Sequence, residues 1–172
     1  MVKLKVIGIL LVGLVLFLAC EKDDICVDGD TPLLVIRFYD IDDTTALKKV
    51  PKLRVFGVGK DITVNTFTDR TDLDSINIPL RIIENSTSFN FVLNSADTSS
   101  TDTTDTGNLD EITFNYELSD EYVSRACGFI ATYNGVSETL TPDTDNWIKR
   151  IEFITTDINL ETINTAHVKI YH

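Results

Sequence analysis

Ile112-Thr113-Phe114-Asn115-Tyr116-Glu117-Leu118 puts a large apolar side chain at every second position and a polar one in each gap. A period of two is the signature of a β-strand with one face packed and one wet, whereas a helix repeats its apolar positions every three to four residues. Working outward from this stretch, the same rhythm returns along the chain. Leu34, Ile36 and Phe38 share one face, with Val35, Arg37 and Tyr39 on the other. Ile76, Ile78, Leu80 and Ile82 alternate with Ser75, Asn77, Pro79 and Arg81. Pro79 lacks the N–H that a ladder needs, which predicts an edge strand or a bulge there. Phe89, Phe91 and Leu93 form another inward set, and Ala166, Val168 and Ile170 alternate with His167, Lys169 and Tyr171. Weaker strands are predicted over 52–58, 62–67 and 148–154. The longest is predicted over 122–133, followed by a tight turn at Asn134-Gly135. A helical turn over 44–50, before Pro51, is the one departure from strand, and no internal repeat is visible. About nine short strands with polar turns predict an all-β fold: an antiparallel two-sheet sandwich, immunoglobulin-like or related. Residues 95–108 are Ser, Thr and Asp with almost no apolar surface, so a mobile acidic loop is expected over 95–109.

The start of the chain reads differently. Lys3 and Lys5 precede an uncharged apolar run over 6–19 that ends at Leu16-Phe17-Leu18-Ala19-Cys20. The run is shorter than the ~20 residues a bilayer crossing requires and suits the core of a signal peptide. A small residue followed by cysteine resembles the lipobox, at which the thiol is acylated and the preceding peptide removed; Phe17 departs from the usual aliphatic residue. The competing reading is an ordinary secretory signal with an incidental cysteine. Each buried CH₂ of the acyl chains would add about 0.8 kcal/mol of membrane affinity. The expected organisation is a signal peptide over 1–19, a lipidated acidic tether over 20–30 and the sandwich over 31–172. Glu21-Lys22-Asp23-Asp24 resembles the signal that sends Bacteroidota lipoproteins to the outer face of the outer membrane, against the plainer alternative of a solvated linker.

Charge and cysteines bound the function. The formal charge is −12, and removal of 1–19, which holds Lys3 and Lys5 but no acid, takes it to −14. Such a surface argues against nucleic acid and against attraction to anionic headgroups, both of which need basic patches. With Cys20 lipidated, Cys26 and Cys127 remain of the three cysteines. In an oxidising compartment they read as one disulfide, tying the start of the domain to a central strand; two free buried thiols are the alternative. A loop of about 100 residues corresponds to about 4.7 kcal/mol of chain entropy before strain.

Six segments carry a family resemblance: Asp24-Ile25-Cys26, Thr31-Pro32 leading into 33–40, Ser75-Ile76-Asn77-Ile78-Pro79-Leu80, Tyr122-Val123-Ser124-Arg125-Ala126-Cys127-Gly128-Phe129, Asp145-Asn146-Trp147-Ile148 and Ala166-His167-Val168-Lys169-Ile170-Tyr171-His172. Together the chain resembles a family of small, uncharacterised Bacteroidota lipoproteins with a domain of unknown function. The resemblance supports the paired cysteines and the terminal strand. It implies no activity, substrate or catalytic residue.

Each candidate site has a plainer reading beside it. His167 and His172 are five apart on one strand and so point oppositely, which disfavours a zinc pair; an outward polar residue and a chain end are the plainer reading, and no metal is expected. Asp102, Asp105, Asp110 and Glu111, or Asp23, Asp24, Asp28 and Asp30, could gather calcium, but their spacing is not that of an EF-hand and a solvated loop is the better reading. Arg125 falls on the face of Val123, Cys127 and Phe129; if that face is inner, its guanidinium needs a structural ion pair, a ligand-binding cleft being the remoter reading, and a twist or bulge would turn it outward. Trp147 is either core packing or an exposed platform for sugar, packing being commoner. Gly57-Val58-Gly59-Lys60 lacks the spacing of a phosphate loop, and no serine lies in a Gly-x-Ser-x-Gly elbow. No cofactor and no catalytic residue is therefore expected. The leading expectation is a non-enzymatic, membrane-anchored binding or accessory module, outer-membrane and surface-exposed or else periplasm-facing, docking on an outer-membrane protein. The alternative is a small glycan-acting hydrolase using two of the many carboxylates, recognisable by their separation in space.

Overall fold

The computed structural model describes residues 26, 31–60, 62–96 and 106–172. Contacts divide the chain into a small unit, whose described residues are Cys26 and Tyr122–Phe129, and a main unit of Asp30–Glu121 with Ile130–His172. No helix occurs among the described residues. Those residues form nine strands in order: β1 Leu34–Tyr39, β2 Val50–Gly57, β3 Thr71–Leu73, β4 Ser75–Ile78, β5 Ser86–Leu93, β6 Asn108–Ser124, β7 Gly128–Leu140, β8 Arg150–Phe153 and β9 Val168–Tyr171. They build two sheets, β4-β1-β9-β8 and β3-β2-β5-β6-β7.

The alternation becomes burial. Leu34, Ile36 and Phe38 of β1 lie fully inside, as do Ile112 and Phe114 of β6, while their sequence neighbours face outward or sit half-buried. Phe91, Val55, Ile78, Val168 and Ile170 join the same apolar cluster. Each such side chain is worth about 1.5–3 kcal/mol on leaving water, which fixes the strand registers, because a slip by one residue would turn every one of them outward.

Several expectations change. β1 and β9 pair in parallel, Ile36 against Val168 and Phe38 against Ile170, so the sandwich is not wholly antiparallel. Parallel neighbours need a long connection, and here the intervening strands supply it. Residues 122–133 are not one strand: β6 ends at Ser124, a turn occupies 125–127, and β7 begins at Gly128. Cys127 N–H donates to Ser124 Oγ (3.1 Å), which closes that turn, so the cysteine sits in a turn and not on a central strand. Asn134-Gly135 lies inside β7 and makes no hairpin turn. Gly135 adopts φ +58°, and its N–H donates to Asp157 Oδ1 (3.1 Å), while Tyr133 and Ile158 exchange both backbone hydrogen bonds. A distant segment pairs with β7 around a left-handed residue that would otherwise break it.

Of the 62–67 stretch only Thr63 makes a bridge, to Phe56, and 44–50 is no helical turn: a tight turn at 44–45, closed by Ala46 N–H on Asp43 O (2.9 Å), leads to a bridge of Leu47 to Tyr39, and Val50 opens β2. At the edges of the acidic loop, Ser95 is buried with its N–H on Lys52 O (3.2 Å), and Asn108 and Leu109 already belong to β6. Gly107 is packed so closely that a Cβ there would lie 2.5 Å from Leu93 O. Residues 97–105, the body of the expected mobile loop, lie outside the described residues, as do the expected signal peptide over 1–19 and, apart from Cys26, the expected tether over 20–30.

Candidate functional site

In the main unit, the segment after β4 builds a cleft. β4 stops at Ile78 because Pro79 has no N–H to continue the ladder. Two tyrosines from the other sheet then catch the backbone that follows. Tyr133 Oη donates to Leu80 O (3.1 Å), and Tyr116 Oη donates to Arg81 O (2.9 Å). Thr87 Oγ1 accepts from Arg81 N–H (2.9 Å) and lies 2.6 Å from Tyr116 Oη. The two rings meet edge to face at 5.0 Å. Burial pushes the Tyr133 phenol up to about 12 and raises that of Tyr116, so both keep the protons they donate.

Above this latch lies a cavity of about 550 Å³ bounded by Leu33, Lys60, Leu80, Ile82, Ile83 and Tyr133 among others. That size is ordinary for a small-ligand or side-chain pocket. Ile82 and Ile83 are 56% and 84% exposed and form an apolar lip. Arg81 Nη1 pairs with Glu84 Oε2 at 2.5 Å, and Lys60 stands on the rim. Glu84 is the single carboxylate of this lining among the described residues, so the cleft does not bring together the two carboxyl groups that glycan hydrolysis needs. What it offers chemically is apolar contact bordered by cations.

In the small unit, Cys26 and Cys127 are joined by a disulfide with their Cα atoms 4.8 Å apart. Tyr122 and Phe129, 56% and 68% exposed, pack edge to face with ring centroids 5.4 Å apart. Arg125 lies exposed in the turn between them. The expected inner face is therefore corrected: the turn at 125–127 ends the alternation, Phe129 faces out, and Arg125 forms no ion pair among the described residues.

The other singled-out residues are used by the fold. His167 is fully buried, not outward: its Nδ1 accepts from Val35 N–H (2.9 Å) and its Nε2 faces Thr162 Oγ1 (3.2 Å). Burial lowers its pKa, keeping the ring neutral. His172 packs edge-on to Phe38 and Trp147. Trp147 is core, with Nε1–H donating to Phe91 O (3.2 Å), so it offers no platform to a sugar. Asp110 is buried and accepts from the N–H groups of Ile148 (2.8 Å) and Trp147 (3.3 Å), and burial raises its carboxyl pKa despite those donors. Glu111 Oε1 lies 3.5 Å from Thr141 Oγ1. No group of three His, Cys, Asp or Glu side chains assembles among the described residues. Asp102 and Asp105, with Asp23, Asp24, Asp28, Asp30 and Cys20, lie outside them. Gly57-Val58-Gly59-Lys60 is a turn closed by Lys60 N–H on Gly57 O (2.9 Å).

Sequence reasoning missed both the cleft and the exposed aromatic pair. The signal for the cleft was the Ile82-Ile83 doublet, which breaks the alternation it seemed to extend. Residues 52–172 match the model of a family of unknown function, DUF6452, and that stretch contains four of the six segments quoted above. No curated protein and no solved structure matches the chain.

Proposed function

The chain belongs to DUF6452, a family of unknown function, and from that premise we propose that it is an exported lipoprotein, anchored through Cys20 in the outer membrane. It faces the cell exterior and serves there as a binding module. The observation that carries this reading is the allocation of the cysteines. Two of the three, Cys26 and Cys127, are bonded to each other. Structural disulfides persist in oxidising compartments and are rare in the cytosol. The third, Cys20, directly follows the apolar run over 6–19. The acidic residues that follow it favour the outward-facing orientation. The binding face is the cleft over residues 79–84, which presents Ile82 and Ile83 to an apolar group of a partner membrane protein.

Partition of the full chain between detergent and water, with mass spectrometry of its first residue, tests the anchor. The native protein enters the detergent phase with an acylated Cys20 at its start, and C20S moves to the aqueous phase or keeps its leader. A mature protein that begins elsewhere, or carries no lipid, overturns the reading. Protease treatment of intact cells then separates the outward from the periplasmic orientation.

A further inference from the structure

We propose that the hairpin tip, Tyr122–Phe129, is a foot that rests on the lipid headgroups beside the anchor, with Tyr122 and Phe129 set into the membrane interface. The inference rests on the acylation of Cys20 proposed above and adds where the tip goes. The disulfide brings the Cα atoms of Cys26 and Cys127 to 4.8 Å. Cys26 is six residues from Cys20. Whatever path the intervening residues take, six residues span at most ~20 Å at 3.3–3.6 Å each. An acylated Cys20 lies at the boundary between hydrocarbon and water, where the headgroup layer is itself roughly 5–8 Å deep. Covalent bonds alone therefore keep Cys127 within roughly 25 Å of the acylated residue, close enough for the tip to reach the headgroups.

The chemistry of the tip fits that surface. Tyr122 and Phe129 are 56% and 68% exposed, and their mutual edge-to-face contact leaves most of each ring open. Tyrosine and tryptophan rings favour the headgroup level, where an apolar body and a polar tip are both satisfied, and the phenyl ring of Phe129 adds apolar surface beside Tyr122. Within Tyr122–Phe129 the single charged residue is Arg125, although the whole chain carries −12. Asp120 and Glu121 directly precede the tip, so its charge chemistry suits zwitterionic headgroups, whose phosphate oxygens an exposed guanidinium pairs with. The disulfide keeps this arrangement in place beside the anchor.

The test uses the full acylated protein, purified from membranes and reconstituted into phosphatidylcholine vesicles with or without brominated acyl chains. Flotation with the vesicles is read first. A protein that does not float overturns the anchor and the foot together. When it floats, the added tryptophan of F129W shifts its emission to the blue and is quenched by the brominated lipid, while the buried Trp147 of the native protein is not. Hydrogen exchange of the native protein gives an independent reading, with the amides of residues 122–129 slowing on vesicles. Floating protein whose residue-129 emission stays unquenched and whose tip amides exchange unchanged overturns the foot and leaves the anchor standing. Protection that develops only when other proteins of the native membrane are added also overturns it, because the tip then docks on protein and not on lipid.

Discussion

The segment over 79–84 and the tip Tyr122–Phe129 each hold large apolar side chains against water, and they do so by different means. In the first, the backbone at Leu80 and Arg81 is fixed by phenol donors at 3.1 and 2.9 Å, so the lip of Ile82 and Ile83 is as firm as two protonated tyrosines make it. In the second, the constraint is the bond between Cys26 and Cys127, which no protonation touches. One apolar surface is therefore governed by pH and the other by redox state. Each can be disturbed while the other is watched.

Breaking the disulfide has the largest expected effect. The double variant C26S/C127S loses about 2–4 kcal/mol of unfolding free energy, read from urea melts, chiefly through the freed unfolded chain. Exchange at the tip accelerates, while the Leu80 and Arg81 region keeps its protection. Alkali acts on the opposite side of the comparison. Burial pushes the Tyr133 phenol up to about 12, against 10.0 in the open chain. The stability this supplies is complete below pH 10 and disappears as pH rises toward 12, amounting to roughly 2–3 kcal/mol at about 1.4 kcal/mol per unit. Thermal melts at intervals between pH 9 and 12 check it, and Y133F flattens the profile. At neutral pH, Y133F costs about 1–3 kcal/mol, because the Leu80 carbonyl loses its buried donor. The same variant loosens the Ile82 and Ile83 methyls by NMR and leaves the disulfide intact. R81Q is the smallest change. It removes an exposed ion pair worth about 0–1 kcal/mol, so the melt moves little and any effect is confined to binding at the cleft.

The strands themselves were legible wherever alternation was local. β1, β5, β6 and β9 bury the side chains that the period of two assigns to the inside, because a half-buried sheet enforces that period residue by residue. What the sequence hid depends on partners far along the chain. Asn134-Gly135 carries a strong local turn signal, yet Asp157 and Ile158 supply pairing that keeps it within a strand. His167 looks outward by alternation, yet Val35 N–H meets its ring from 132 residues away. The parallel pairing of β1 with β9 leaves no trace in periodicity, since parallel and antiparallel strands alternate alike. The cleft is hidden for the same reason, being built where Tyr116 and Tyr133 from two later strands reach a segment of a different sheet. The disulfide was legible because pairing two thiols needs a count and not a geometry.

β9, the last of the described strands, lies between β1 and β8 in its sheet. Until it arrives, β8 has no neighbour in that sheet and β1 keeps an unsatisfied edge toward the gap. A chain made in order from its N-terminus thus leaves the gap between β1 and β8 open through every intervening strand, and this sheet becomes continuous only when β9 enters it.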